Sequence, residues 1–163
     1  MAYDEHWPGG SPGPIASQAW FASRVAGKMQ QLDPARTFVA IGNYGYDWTI
    51  GDGSTEALTF QDAMRRARNA NAAIEFDRLT LNPHFSYDQE GKRHQVWFLN
   101  AATAYHQMRA ADRYRPAGYA IWRLGAEDPS VWSVLPRTYD APPPASLSMI
   151  SPGNEVTSNG SGE

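Results

Sequence analysis

An α/β fold built on parallel strands is predicted for this chain of 163 residues, and three observations predict it. Short β-branched, apolar runs at 37–42 and 118–122 alternate with amphipathic helical segments, the pattern of strands covered by helices. Both runs are apolar on both faces, as strands buried in a parallel sheet are. Polar and aromatic residues gather where the strands end: Tyr3 and Asp4, then Tyr44 through Trp48, then Trp122 and Arg123. Ligands bind at that end in closed eight-stranded barrels and in doubly wound open sheets alike. No G-x-G-x-x-G or G-x-x-x-x-G-K-[ST] run is present to support a nucleotide.

The elements follow in order. Met1, Ala2, Tyr3 and Asp4 read as the end of a strand, followed by a Gly/Pro-rich loop at 8–14. A helix is predicted over 17–31, because Phe21, Val25 and Met29 recur every four residues and Asp33-Pro34 stops it. The strand at 37–42 runs into the polar-aromatic stretch 43–48, read as its loop. Thr59 with Asp62 three residues on marks an N-cap; Phe60, Ala63, Met64 and Ala67 form one helix face, and Arg65, Arg66 and Arg68 a solvated one. Residues 79–87 and 94–98 alternate as strands, turned by Asp88-Gln89-Glu90-Gly91. Residues from about 55 to 98 are therefore a small helix-plus-hairpin insertion rather than another parallel unit. A helix over 100–114 turns Ala104, Tyr105, Met108 and Ala111 inward. After the strand at 118–122, Asp128-Pro129 starts a last helix carrying Val131, Trp132 and Leu135. From Pro136 the pattern fades, and 138–163 reads as a Pro/Ser/Gly-rich, disordered linker.

Composition narrows the function. A net charge of -3 excludes a nucleic-acid binder that works by bulk positive charge. The absence of cysteine excludes disulfide scaffolds, thiolate metal sites and cysteine nucleophiles. The four histidines show no ligand spacing, so neither metal nor cofactor is expected. No apolar run is long enough for a membrane span, and no secretion signal opens the chain. Six tryptophans in an acidic chain point to surfaces that stack on flat ligands. Trp20, Trp97 and Trp132 are assigned to packing, while Trp7 and Trp48 divide evenly between loop packing and ligand contact. Taken alone, Tyr3-Asp4 reads as a turn interaction and Trp122 as core.

Together the strand-end motifs resemble glycoside hydrolase family 18, which contains chitinases and the spore-germination and peptidoglycan-hydrolysing enzymes. Met1-Ala2-Tyr3-Asp4 resembles the M-x-Y-D element that ends the sixth barrel strand. Residues 38–48, with Asn43-Tyr44-Gly45-Tyr46-Asp47-Trp48, resemble the seventh strand and loop of the spore-germination-type branch. Tyr87-Asp88, Gly91, His94 and Val96-Trp97-Phe98 resemble its insertion hairpin; Trp122-Arg123-Leu124-Gly125 and Glu127-Asp128-Pro129 resemble the eighth strand and last helix. The resemblance covers residues 1–137 and implies the C-terminal part, strands six to eight, of a (β/α)8 barrel. It departs at one central point: the family's D-x-x-D-x-D-x-E run, whose glutamate is the general acid, is missing from this chain. Strands one to five are accordingly expected upstream of Met1. Leu99-Asn100 also stands where relatives more often carry an acidic pair.

The resemblance implies roles. Family 18 hydrolysis of β-linked N-acetylglucosamine polymers, chitin or peptidoglycan, is retaining and substrate-assisted, with the substrate's acetamido oxygen as nucleophile. Tyr3 donates to that oxygen and Asp4 holds the sugar, as catalytic residues. Trp122 forms the floor under the sugar, and Met1, Tyr44, Tyr46, Asp47 and Trp48 contribute to subsites. The chain alone is expected to be inactive, and its parent extracytoplasmic or envelope-associated. Asn159-Gly160-Ser161-Gly162-Glu163 resembles the junction in proteins that fuse such a module to a polysaccharide deacetylase and a glycosyltransferase; an arbitrary disordered tail reads as well. Two other classes stay open: a non-catalytic, lectin-like sugar-binding module, and a self-contained small α/β interaction domain.

Overall fold

The computed structural model describes residues 1–135, so the linker expected at 138–163 lies outside the described residues. Strands β1 (Phe38–Gly42) and β7 (Gly118–Trp122) pair in parallel, from Phe38 opposite Gly118 to Gly42 opposite Trp122. Residues 1–3 run beside β1 without forming a regular strand; the Ala2 N–H donates to the Ala40 carbonyl at 3.0 Å. Helices α1 (Gln18–Met29) and α3 (Ala101–Asp112) and the single turn α4 (Val131–Val134) cover one face of the pair. The core there is Phe21, Val25, Val39, Ile41, Ala104, Met108, Ala111 and Val131, and Phe21 alone is expected to contribute about 1.5–3 kcal/mol of transfer free energy. The β-branched stretch predicted a strand covered on both faces. Among the described residues only one is covered, for Phe38, Ala120 and Trp122, which alternate with the core residues, are exposed.

A second, antiparallel sheet holds β2 (Gly45–Thr49), β3 (Thr55–Leu58), β4 (Glu75–Phe76), β5 (Pro83–Gln89) and β6 (Lys92–Phe98) in the order β3-β2-β6-β5-β4. Helix α2 (Phe60–Asn69) packs on one face with Leu58, Ala63, Ala67, Phe85, Val96 and Phe98. The other face carries Tyr44, Tyr46, Trp48 and Trp97 against Ile15, Ala16 and Leu99. This sheet begins at Gly45, ahead of residue 55, and the stretch read as a loop is a buried strand. Its signal was present. Tyr44, Tyr46 and Trp48 alternate with Gly45 and Asp47 at the period of a strand.

Several local expectations meet the structure residue by residue. Thr59 and Asp62 form a reciprocal capping box on α2. The β5–β6 turn tightens to Glu90 and Gly91, both at positive φ (53° and 74°), as a two-residue turn between twisted strands requires. Residues 79–82 lie outside β5, where Asp77 accepts from the Leu79 and Thr80 N–H groups and folds them into a turn. Asp128 serves two helix starts: its carboxylate accepts from the Ser130 N–H just ahead of α4 at 2.9 Å, as expected, and from the Ala101 N–H of α3, whose own N-cap is Asn100, at 3.0 Å. Trp132, assigned to packing, is half exposed because α4 is too short to bury it.

Candidate active site

The site lies where β1 and β7 end. The Asn43 N–H donates to the Trp122 carbonyl at 2.9 Å, the Leu99 N–H to the Tyr44 carbonyl at 2.9 Å, and the Phe60 N–H to the Ala126 carbonyl at 2.8 Å. These bonds tie both sheets and α2 into one frame around a cleft of about 370 Å³. Its lining includes Asp4, Tyr44, Tyr46, Thr59, Asp62, Trp122 and Arg123. Gly42 permits the close approach: a Cβ there would lie 2.7 Å from the Leu99 side chain, 3.0 Å from the Tyr44 ring and 3.2 Å from the Tyr3 Cβ. The Trp122–Arg123 peptide is cis, and the Trp122 side chain stands 55% exposed.

Asp4 is the centre of this cleft. Its backbone lies in the left-handed region at φ 64°, a conformation aspartate tolerates better than most residues. The hydroxyls of Tyr44 and Tyr46 both donate to its Oδ1, Tyr46 at 3.0 Å. Edge-to-face contacts from Tyr3 to Tyr44 (5.9 Å), Tyr44 to Tyr46 (5.4 Å) and Tyr46 to Trp48 (5.5 Å) set the rings as a ladder. Burial, then the hydrogen bond to Asp4, pushes the Tyr44 hydroxyl far up. Burial and the Asp4 charge push Tyr46 up to about 12. Both remain protonated donors at neutral pH.

Tyr3 and Met1 face an adjoining cleft of about 400 Å³, which shares Asp4 with the first and runs along α1 past Trp20 and Arg24. The Tyr3 hydroxyl donates to the Met1 sulfur at 2.9 Å, and burial raises its pKa, with Asp4 adding to the effect. A thioether is a weak acceptor, so a carbonyl or amide oxygen entering here would readily accept the hydrogen bond instead.

Asp47 and Trp48, expected at subsites, are both only 2% exposed. Asp47 points to the opposite side of β2 from the tyrosines. It accepts from Arg66, from the Tyr87 hydroxyl at 2.5 Å, and pairs with His94 Nδ1 at 3.0 Å. Arg66, read as part of a solvated face, also pairs with Glu56 at 2.6 Å. Burial lowers the Arg66 pKa, but the hydrogen bonds to Glu56, Asp47 and Tyr87 outweigh it and raise the net value. The structure thus brings Asp4, Tyr44, Tyr46 and Trp122 to one cleft and sets Tyr3 and Met1 beside it, while Asp47 and Trp48 are enclosed. Asn43, which sequence reasoning passed over, is 4% exposed, and neither end of its side-chain amide has a partner among the described residues. Among the described residues no three His, Cys, Asp or Glu side chains cluster as a metal ion would need, and no helix is long and apolar enough to cross a membrane.

No family model matches the chain. Its sequence is 31% identical over 137 residues to the uncharacterized glycosylase YvbX of Bacillus subtilis (strain 168), covering 83% of this chain and 40% of that protein. The crystal structure of the Bacillus cereus spore cortex-lytic enzyme SleL superimposes with a TM-score of 0.74 at 27% identity, over 83% of this chain and 32% of that one. The chitinase from Chromobacterium violaceum ATCC 12472 gives a TM-score of 0.76 at 29% identity, over 83% and 43%. The chain spans less than half the length of each. Its α/β fold is similar to the corresponding part of these cortex-lytic and chitinase structures, and its sequence to part of that glycosylase.

Proposed function

We propose that the chain is the C-terminal part of a glycoside hydrolase family 18 barrel, spanning strands six to eight. It would contribute one wall of the cleft in which β-linked N-acetylglucosamine polymers, of chitin or peptidoglycan, are cleaved. The observation that carries this is convergence: Asp4, Tyr44 with Tyr46, and Trp122 come from three separate segments and line one cleft at the C-terminal ends of β1 and β7. In a barrel that end holds the active site. The strand numbers are those the family resemblance implies, and the neighbour order supports them: residues 1–3 run beside β1, and β1 pairs with β7. The uncovered face of the pair, with Phe38, Ala40 and Ala120, is the face a closed barrel fills with its interior.

The chemistry assigned to these groups is binding and orientation. Trp122 offers an exposed ring face on which a pyranose stacks. Tyr3 donates to the acetamido oxygen as it attacks the anomeric carbon, and a preorganised donor of this kind is worth roughly 3 kcal/mol in the transition state. Asp4 accepts from the sugar. The general acid that protonates the leaving oxygen belongs to the D-x-x-D-x-D-x-E run outside this chain. The chain should therefore bind N-acetylglucosamine oligomers without cleaving them, and Trp122→Ala should weaken binding several-fold, up to about ten-fold, as stacking worth ~0.5–1.5 kcal/mol implies. Oligomer turnover by the 163-residue chain that Tyr3→Phe abolishes would overturn this reading.

A second reading is a lectin-like module that binds sugar without catalysis, with the exposed Trp122 ring as its platform. The coding sequence upstream of Met1 separates the two: an intact D-x-x-D-x-D-x-E run supports the hydrolase, and the same run with its glutamate replaced supports the lectin. Fusion to a deacetylase and a glycosyltransferase is a further proposal for the full-length protein, to be read from the coding sequence downstream of Glu163.

A further inference from the structure

Asp4 is held in an unusual way. It is itself exposed, yet two buried phenols, Tyr44 and Tyr46, both donate to its Oδ1. Its Oδ2 has no hydrogen-bond partner among the described residues. The phenols cannot swing away, because Tyr44 is wedged edge-on between the rings of Tyr3 and Tyr46, and Tyr46 in turn meets Trp48. A surface aspartate ordinarily turns freely about its terminal torsion. Here two donors on one oxygen stop that rotation.

We propose that Tyr44 and Tyr46 are positioning residues for Asp4, clamping Oδ1 so that Oδ2 alone faces the cleft as the acceptor for a sugar hydroxyl or amide N–H. This rests on the glycan-binding reading above and adds a division of labour to it: the tyrosines act through Asp4 and not on the sugar directly. It also sets a preference. A fixed anionic acceptor favours ligand groups that donate and disfavours a ligand carboxylate at the same position. Because the clamp is preorganised, the bound sugar does not have to order the carboxylate.

The test is a double-mutant cycle on the full chain, read by tryptophan fluorescence during titration with an N-acetylglucosamine tetramer. Phenylalanine keeps each ring and removes only the hydroxyl, so the ladder is preserved. Tyr44→Phe and Tyr46→Phe should each weaken binding several-fold, up to about ten-fold, the range of a typical net hydrogen bond, since the lost bond acts on the sugar only through Asp4. In an Asp4→Ala background the same changes should add less than two-fold, since there is nothing left to position. Losses that multiply independently in both backgrounds overturn the clamp and assign the tyrosines direct or purely structural roles. A second measurement needs no sugar: a downfield, slowly exchanging Tyr44 hydroxyl proton should appear in the wild-type NMR spectrum and vanish in Asp4→Ala. Its absence from the wild type overturns the geometry. If that proton is present but the wild type binds no tetramer, the glycan reading fails, and with it the role of Oδ2, while the clamp itself stands as a structural feature.

Discussion

Tyrosine carries much of the local chemistry in this chain, and its hydroxyls make the site sensitive to alkali in a defined direction. Burial, then the Asp4 charge, pushes Tyr46 up to about 12, and burial, then its hydrogen bond to Asp47, pushes Tyr87 up to about 12. The unfolded value is near 10, so the folded state holds these protons more tightly. Their contribution to stability is complete below pH 10 and is lost as pH rises from 10 through about 12. Urea midpoints should accordingly stay level up to about pH 10 and fall beyond it, with a shallower fall in Tyr46→Phe and Tyr87→Phe. Midpoints that hold level through pH 11 would refute the shifts. Tyr3, Asp4 and Trp122 could be picked out from the sequence as candidates only through their order at strand ends, since each alone also fits a turn or a core. The Asp4–tyrosine clamp could not be read at all, because it joins residues about forty positions apart through side chains that no local pattern links.

At the scale of elements, strand β2 is what the insertion is assembled around. Its tyrosine side faces the cleft, and its other side presents Asp47 to α2 through Arg66, to β5 through Tyr87 and to β6 through His94. A carboxylate this buried is tolerable only with such a set of donors, and removing it leaves Arg66 with one charged partner, the exposed Glu56, and the Tyr87 hydroxyl at 3.5 Å. Asp47→Ala should therefore cost about 3 kcal/mol, the low end for a broken buried pair because Arg66 is partly exposed, measured by chemical denaturation. A loss below 1 kcal/mol would mean that water satisfies Arg66 just as well. Elements set by local signals were legible: α1 from the four-residue spacing of Phe21 and Val25, α2 from its capping box, β6 and the Gly91 turn from alternation. Strand β2 was hidden because aromatic and polar residues following a buried strand resemble a ligand-binding loop, and their period of two was outweighed by that composition. Strands β3 and β4, of 4 and 2 residues, are too short to leave a pattern, and pairing with longer strands specifies them.

For the molecule as a whole, the length of 163 residues suits a complete domain, whereas the arrangement is that of a part. A two-stranded parallel sheet covered by helices on one face is rarely self-sufficient, because parallel strands are ordinarily buried on both faces. Here the second face exposes Phe38 (63%) and Trp122, with Met1 and Leu124 exposed nearby, and β1 is the only strand paired to β7 among the described residues. Two outcomes follow from opposite premises. If this face is the inside of a barrel whose other strands lie elsewhere, the isolated chain should associate as concentration rises and bind a hydrophobic dye. Phe38→Lys should then reduce both effects without lowering the unfolding midpoint, since an exposed ring contributes little to the core. If the chain is instead a self-contained interaction domain, it should sediment as a monomer at every concentration and unfold in one cooperative step, with Phe38→Lys leaving sedimentation unchanged. The similarity to less than half of much longer glycosylases and chitinases favours the first outcome, and sedimentation velocity across a hundred-fold range of concentration decides between them.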